Sequence, residues 1–347
     1  MVLNAHVMEG KAGSIGPTWP PQPATSNRLR GIKTEILVTP RDTRAFIDEV
    51  HAAQSAHPDL TRVSLRAFVD RSERIRMGSH WNGLMVEGIL PVDHVVGDSV
   101  DLVYLGRNTP ERMPKADVYR RMLEVNFGQV NGFERPEPGA LIERVCGLDY
   151  RFDRLSSASV TPKDIHDLVL LYHEAFPVYM FPITDKTIAD LLQNDGNIFL
   201  VARYKGQIVS AMIAEYASLE IQGKPIHMYE LSDFATSEAV FGNHQGKKLM
   251  AALQIQAITM IHKLYGDEAL IYAEDRGQLP AVVRSSLYAG MTPVGALPIH
   301  VRIGGKRNAD LDEGVPGMET LVPVLWLPST MRPPSTNEVL EHHGIQI

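Results

Sequence analysis

A single cysteine, Cys146, stands in 347 residues. One thiol excludes an internal disulfide framework and a cysteine-built zinc site within one chain, and it is expected as a small buried hydrophobe. Long apolar runs are also missing. The stretch Leu168-Val-Leu-Leu171 falls far short of the ~20 residues a membrane helix needs, so no membrane partner is expected. There is no excess of basic charge: 34 Lys and Arg against 41 Asp and Glu leave a net charge of −7. That balance provides no phosphate-neutralising face, which excludes nucleic acid as the main partner. The 13 histidines show no H-E-x-x-H or other paired metal spacing, so no metal is expected. Residues 1–30 hold Pro17, Pro20, Pro21 and Pro23 and lack the apolar core of a signal peptide. They are expected as a flexible tail, and the chain as a cytoplasmic protein.

What is present is ordinary for a globular chain: 44% hydrophobic and 22% charged residues, at a length that favours two domains. Periodicity predicts a strand at 35–39, a helix at 42–57, a strand at 62–69 and a short polar helix at 71–80. Strands at 84–91 and 101–106 and a helix at 116–127 follow. Glu134-Arg-Pro-Glu-Pro-Gly139 has the composition of a linker. Then Thr161, Pro162 and Asp164 form a capping box. Beyond it the pattern predicts helices at 162–176 and 185–193, strands at 197–204, 207–219 and 226–235, and a long helix over 247–264. A strand at 269–274, a helix at 280–288 and strands at 296–303 and 319–327 complete the order. The expected divisions are a tail over 1–30, a domain over 31–150, a second over 155–330 and a tail over 331–347. The fold class is α/β (α+β), a mixed sheet flanked by helices, because the step from 226–235 through the long helix to 269–274 makes those strands parallel.

An internal echo links the halves. Gly83-x4-Gly88-x-Leu90-Pro91 recurs as Gly290-x4-Gly295-x-Leu297-Pro298 at an offset of 207, which also lays 62–68 over 269–275. This predicts that the first domain is a degenerate, partial copy of the second, without its long helix.

The segment that carries chemistry is Tyr229-Glu-Leu-Ser-Asp-Phe-Ala-Thr236 followed by Phe241-Gly-Asn-His-Gln-Gly-Lys-Lys-Leu-Met250. A strand ends, a loop with two glycines follows, and a long helix starts. Backbone N–H groups there, with the positive end of the helix, suit a pyrophosphate, though an ordinary strand-to-helix turn fits the spacing equally well. The strand–loop–helix resembles motif A of the GNAT superfamily of N-acyltransferases, with Gln245 opening the pattern and Lys248 and Met250 standing where that family has small residues. Further features resemble the β-lysine N-acetyltransferase group. They include Phe176-x4-Phe181-Pro182-Ile183, Glu230-x2-Asp233-Phe234-Ala235-Thr236, Gly290-Met291 and Met318-Glu319-Thr320-Leu321.

The resemblance implies a GNAT-like second domain and acetyl-CoA (or another acyl-CoA) as co-substrate. It also implies transfer of an acetyl group to the amine of a small, diamino-acid-like molecule, with a homodimer left open. A donor carried as a carrier-protein thioester or aminoacyl-tRNA, or a non-catalytic binding protein, are the alternatives. Donor binding is expected at Phe234, Ala235, Thr236, Asn243, His244, Gln245, Gly246, Lys247 and Lys248. The base is expected at Glu230 or Asp233; three apart in a strand, they should point to opposite faces. The family often places an acidic tyrosine four residues before its Gly-aromatic pair. Here that position is Ser286, which leaves Tyr288, displaced by two, as the acid or else as core. Tyr179, Phe181, Glu274, Arg276 and His300 are the candidates for the acceptor pocket, with Arg276 taking a carboxylate and the acids taking amines.

Overall fold

The computed structural model describes residues 15–17, 28–97, 99–128, 130, 133–135, 137–179, 182–241, 246–303 and 318–328. The chain begins with strands β1 (Ile15–Pro17) and β2 (Arg28–Leu37), helix α1 (Pro40–Ala56), strand β3 (Arg62–Asp70) and helix α2 (Arg71–Met77). Strands β4 (His80–Trp81), β5 (Leu84–Pro91) and β6 (Val100–Asn108) follow, then helices α3 (Ala116–Gly128) and α4 (Pro138–Cys146). Next come β7 (Tyr150–Leu155), α5 (Pro162–Ala175), α6 (Asp185–Gln193), and the antiparallel strands β8 (Ile198–Tyr204), β9 (Gln207–Ile221) and β10 (Lys224–Thr236). A short turn of helix α7 (Glu238–Phe241) precedes the long α8 (Gly246–Tyr265), β11 (Ala269–Arg276) and α9 (Pro280–Tyr288). Strands β12 (Met291–Pro293), β13 (Leu297–Arg302) and β14 (Met318–Trp326) end the described order.

Local chemistry sets these boundaries. Thr39, Thr161 and Thr184 each cap a helix with a reciprocal capping box, satisfying two N–H groups that the first turn leaves open. Along α8, Leu249, Leu253, Ala257 and Ile261 form the buried stripe at i, i+4 spacing. Leu264 is exposed, because the stripe's next step falls at Tyr265.

The strands form two mixed sheets. The first runs β1-β2-β3-β6-β5-β4 and the second β12-β14-β11-β10-β9-β8-β7, with β13 on β14. The sheets share a design. β2 and β3 are parallel across α1, and β3 is antiparallel to β6. Likewise β10 and β11 are parallel across α8, and β11 is antiparallel to β14. The first unit therefore does possess the crossover helix that the sequence suggested it lacks. What it has no counterpart for, among the described residues, is β7, β8 and the two helices α5 and α6.

The units meet at an antiparallel bridge. Gly88 and Gly295, the echoed glycines, bridge directly, with the Ile89 amide donating to the Val294 carbonyl and the Ala296 amide donating to the Glu87 carbonyl. Exchanging each residue for its partner 207 positions away maps one bond onto the other. Glycine is required here: a Cβ on Gly295 would lie 2.1 Å from the Glu87 oxygen. The strand overlay, however, slips by one. In β3 the even-numbered Ser64 and Arg66 face the second sheet, and in β11 the even-numbered Tyr272 and Glu274 face the first. Side chains alternate with period two, so an odd offset would turn the matched faces in opposite directions.

Three other expectations change. Residues 1–30 are not only tail, because β1 and the start of β2 join the first sheet, and buried Arg28 donates to the His300 carbonyl. The 134–139 stretch runs into helix α4, whose Leu141 and Val145 pack with α3, β7 and α8 in the second sheet's core. Residues 116–155 thus cover the second sheet, and the expected division at 150 falls within that layer. Cys146, the last residue of α4, is exposed because it lies one position beyond the inward-facing Val145.

Candidate active site

The site begins where two parallel strands part. β10 and β11 pair from His227↔Ala269 to Leu231↔Ala273, after which pairing stops, although β10 runs on to Thr236 and β11 to Arg276. On its other edge β10 slips register against β9 between Ser232 and Ala235, and Asp233 takes a left-handed φ of 52°. Asp tolerates that conformation better than most residues because it is short and polar. The bulge adds a residue and re-aims the chain. Asp233, three after Glu230, was expected on the opposite face. It is instead returned to Glu230's side, where Tyr179 donates a hydrogen bond to it.

A third carboxylate completes the group. Glu215 on β9 stands directly opposite Glu230 in the β9–β10 register and accepts from the Ser232 hydroxyl at 2.6 Å. Burial raises the Glu215 carboxyl to about 8, helped by Asp233 and Glu230. Burial likewise lifts Asp233 to about 6, with Glu230 adding to the rise and the Tyr179 hydroxyl opposing it. Like charges this close and this dry do not all ionise at neutral pH, so Glu215 retains a proton and Asp233 takes one up near pH 6.

The first sheet supplies the opposite wall. Arg66 of β3 lies between the rings of Tyr104 and Tyr272, 4.9 and 5.0 Å from their centroids. Its guanidinium donates to the Tyr272 hydroxyl at 2.7 Å and pairs with Glu274. Tyr272 in turn donates to Glu230 at 2.9 Å. Burial alone would raise Glu274, but Arg66, with Arg30 and Arg28, outweighs it and holds that carboxyl below its usual range. Between the walls is a narrow cavity of about 30 Å³, lined by Arg30, Arg66, Glu215, Glu230, Tyr272 and His300 among others. In this arrangement it has room for water only.

His300 is pinned as a neutral ring. Its Nδ1 accepts from Arg62 Nε at 3.2 Å, and burial, reinforced by Arg28 and Arg62, pushes its pKa well below the ordinary value. Arg62 also forms a buried ion pair with Glu87, while Arg112 and Arg28 donate to the carbonyls of Ile299 and His300. These contacts lock the irregular β13 against the first sheet.

Of the residues singled out in the sequence, Glu230, Asp233, Tyr179, Glu274 and His300 are brought together. Arg276 is not available as expected, since its guanidinium is taken by Glu319 in a buried ion pair that ties β11 to β14. Tyr288 packs on Phe133, with ring centroids 5.1 Å apart, at the edge of the second sheet's core. Phe234 packs against that core as well, and Ala235 and Thr236 are buried. Ser210 ties both down, donating to the Ala235 carbonyl and bonding the Thr236 hydroxyl at 2.8 Å. Gly246 and Lys247 open α8, and Lys248 is half-buried. Phe181, Asn243, His244 and Gln245 lie outside the described residues. Sequence reasoning missed Glu215 and Arg66. Glu215 was within reach of counting: the turn at Gln222-Gly223 pairs Ile221 with Lys224, and stepping back along both strands brings Glu215 opposite Glu230.

Among the described residues no group of His, Cys, Asp and Glu is arranged to hold a metal ion, and no helix is long and apolar enough to cross a membrane. No family profile and no curated sequence matches the chain. Solved structures that share part of its outline include the ribosomal-protein-S18-alanine N-acetyltransferase from Escherichia coli, at 16% identity and a TM-score of 0.35 over 53% of this chain and 96% of that one. An IAA acetyltransferase from Bacillus cereus aligns at 15% identity and a TM-score of 0.32, over 51% of this chain and 98% of that one. Aminoglycoside 6'-acetyltransferase type Ii aligns at 16% identity and a TM-score of 0.34, over 53% and 99%. Overlaps this loose fix neither a family nor an activity for this chain.

Proposed function

We propose that the protein is a GNAT-type N-acyltransferase that moves an acetyl or other acyl group from acyl-CoA to the amine of a small, diamino-acid-like molecule. The observation that carries this is the parting of β10 from β11 at a bulge flanked by Glu215, Glu230 and Asp233. An acyl transfer needs a donor cradle, a polarised carbonyl and a base for the amine. Past Leu231 the edge of β10 that β11 leaves unpaired, through Phe234, Ala235 and Thr236, can donate backbone N–H groups to a thioester and its carbonyl oxygen. The start of α8, at Gly246, Lys247 and Lys248, suits the donor's pyrophosphate. When bound, the donor supplies the activated acyl group.

On the acceptor side, the carboxylates attract an ammonium group and then take its proton. A cluster already holding one proton, with members near 6 and 8, accepts and releases a second close to neutral pH. Tyr272 holds Glu230 in place, and Tyr179 holds Asp233. Arg30 puts positive charge at the far wall, which suits the carboxylate of an amino acid once the cavity of about 30 Å³ widens, while Arg66 is already paired with Glu274. In this arrangement the 28–108 unit is a wall of the acceptor pocket and the 150–326 unit holds the donor.

The test is calorimetric titration with acetyl-CoA, followed by free-thiol release with a panel of diamino acids and simple amines. Donor binding in the micromolar range and faster release with diamino acids are expected. Absence of binding at high micromolar donor would sink the acyl-CoA assignment in favour of a carrier-bound donor or a non-catalytic role.

A further inference from the structure

On the helix side of the same strand opening lies a group that none of the roles above uses. Asp275 is two residues beyond the last β10–β11 pair, on β11, and is 1% exposed. Since Tyr272 and Glu274 face Arg66, the alternation of the strand turns Asp275 the other way, onto α9. Neither of its carboxyl oxygens has a hydrogen-bond partner of normal geometry, and neither has the hydroxyl of Ser286 on α9 beside it. No cation neutralises it: burial raises its pKa to about 7, offset only in part by Ser286. A buried carboxylate without a counter-charge is costly, so burial favours the neutral acid, and the polar group beside its O–H is the Ser286 hydroxyl. A weakly held donor on β11 two residues past the last β10–β11 pair is near where a ligand entering the strand opening would lie.

We infer that Asp275 is the acid of the proposed transfer, giving its proton to the sulfur that leaves the thioester. The inference rests on the acyltransferase reading. The amine nitrogen's lone pair attacks the thioester carbonyl carbon and the C–N bond forms. The C–S bond breaks with its electron pair on sulfur, and the Asp275 proton moves to that sulfur to give the free thiol. The surplus proton on nitrogen passes to the Glu215–Glu230–Asp233 cluster. One carboxyl has then lost a proton and another has gained one, and exchange with water restores both. Asp275 thereby fills the role expected of Tyr288, which packs on Phe133 instead.

The test compares full-length wild type with Asp275→Asn, using acetyl-CoA and the acetyl thioester of 4-nitrothiophenol as donors to the same amine. An aryl thiolate leaves without protonation, so the two donors separate acid catalysis from structural damage. The variant is expected to lose ~10²–10⁴-fold in kcat with acetyl-CoA and to stay within about threefold of wild type with the aryl ester. An equal loss with both donors, or none with either, overturns the assignment. A second measurement needs no turnover. The infrared spectrum of wild type at pH 6 should contain a protonated-carboxyl band that Asp275→Asn abolishes, and absence of that band from wild type overturns the assignment too. A wild type that binds no acetyl-CoA removes the transfer itself. A wild type that turns over beside an unaffected variant removes only the acid.

Discussion

Replacing Glu215 by Gln keeps the side chain's shape and its acceptor for the Ser232 hydroxyl, but takes away its ability to ionise. In the folded protein, burial first and Asp233 and Glu230 second raise this carboxyl from an ordinary 4.5 to about 8. The unfolded chain therefore gives up the proton at lower pH than the folded one. The stability tied to this group is fully present below about pH 4.5 and is lost as pH rises through about 8. At 1.36 kcal/mol per unit the whole shift would be worth about 5 kcal/mol. Glu215 is only half-buried by area and shares its proton with two neighbours, so about 2 kcal/mol is the expected share. The Glu215→Gln variant escapes that loss. Its Tm relative to wild type should therefore climb by about 4–8 °C between pH 5 and pH 9, taking 2–4 °C per kcal/mol for a domain of this size. Scanning calorimetry in matched buffers measures it. A Tm difference that stays level across that range, or falls, would show that Glu215 is not a desolvated acid and would refute the proton-sharing cluster.

Tyr179→Phe removes the hydroxyl that lowers Asp233, so that carboxyl should move up from about 6. The acidic limb of the rate profile should shift to higher pH with the basic limb fixed, and an unmoved acidic limb would clear Asp233 of the proton traffic. Arg62→Met leaves buried Glu87 without its counter-charge and should cost about 3–5 kcal/mol in urea unfolding; a loss under about 1 kcal/mol would mean the pair is not desolvated. Gly295→Ala drives a Cβ against backbone at Glu87 and Gly88, which cannot yield as a side chain can. It should lower the melting temperature sharply, whereas Gly128→Ala, with open space around its Cβ, should not.

Much of the fold was legible because local chemistry decided it. The capping box at Thr161 and the strand pattern of 84–91 fixed those elements almost to the residue, whereas the Thr39 box, which starts α1 at Pro40 rather than 42, was not read. Helix α4 was missed because its Pro-Gly start reads as linker, and only the Leu141–Val145 spacing betrays an inward face. Within the site, Glu230, Asp233 and Tyr179 were visible as chemistry-bearing types near a strand end. Their meeting was not, because it depends on a one-residue bulge that nothing in the Glu-x2-Asp spacing announces. Arg276 illustrates the converse. Its type suits a substrate carboxylate, but Glu319, 43 positions away, already satisfies it, and only the β11–β14 register reveals that.

The near-symmetry explains why a second, incomplete unit belongs to the site at all. The two sheets bridge at Gly88 and Gly295, which brings a face of each against the other. The face of β11 that carries Tyr272 and Glu274 is therefore closed by the matching face of β3, which carries Arg66. The connection from β2 to α1 is only Val38 and Thr39, shorter than the β10–α8 connection of the second unit. Arg28, Arg30, Arg62, Arg66 and Arg112 all come from the first unit or the turn just after it, while Glu215, Glu230, Asp233 and Glu274 all come from the second. The two signs around the cavity thus come from different units, apart from Glu87, which balances Arg62 within the first.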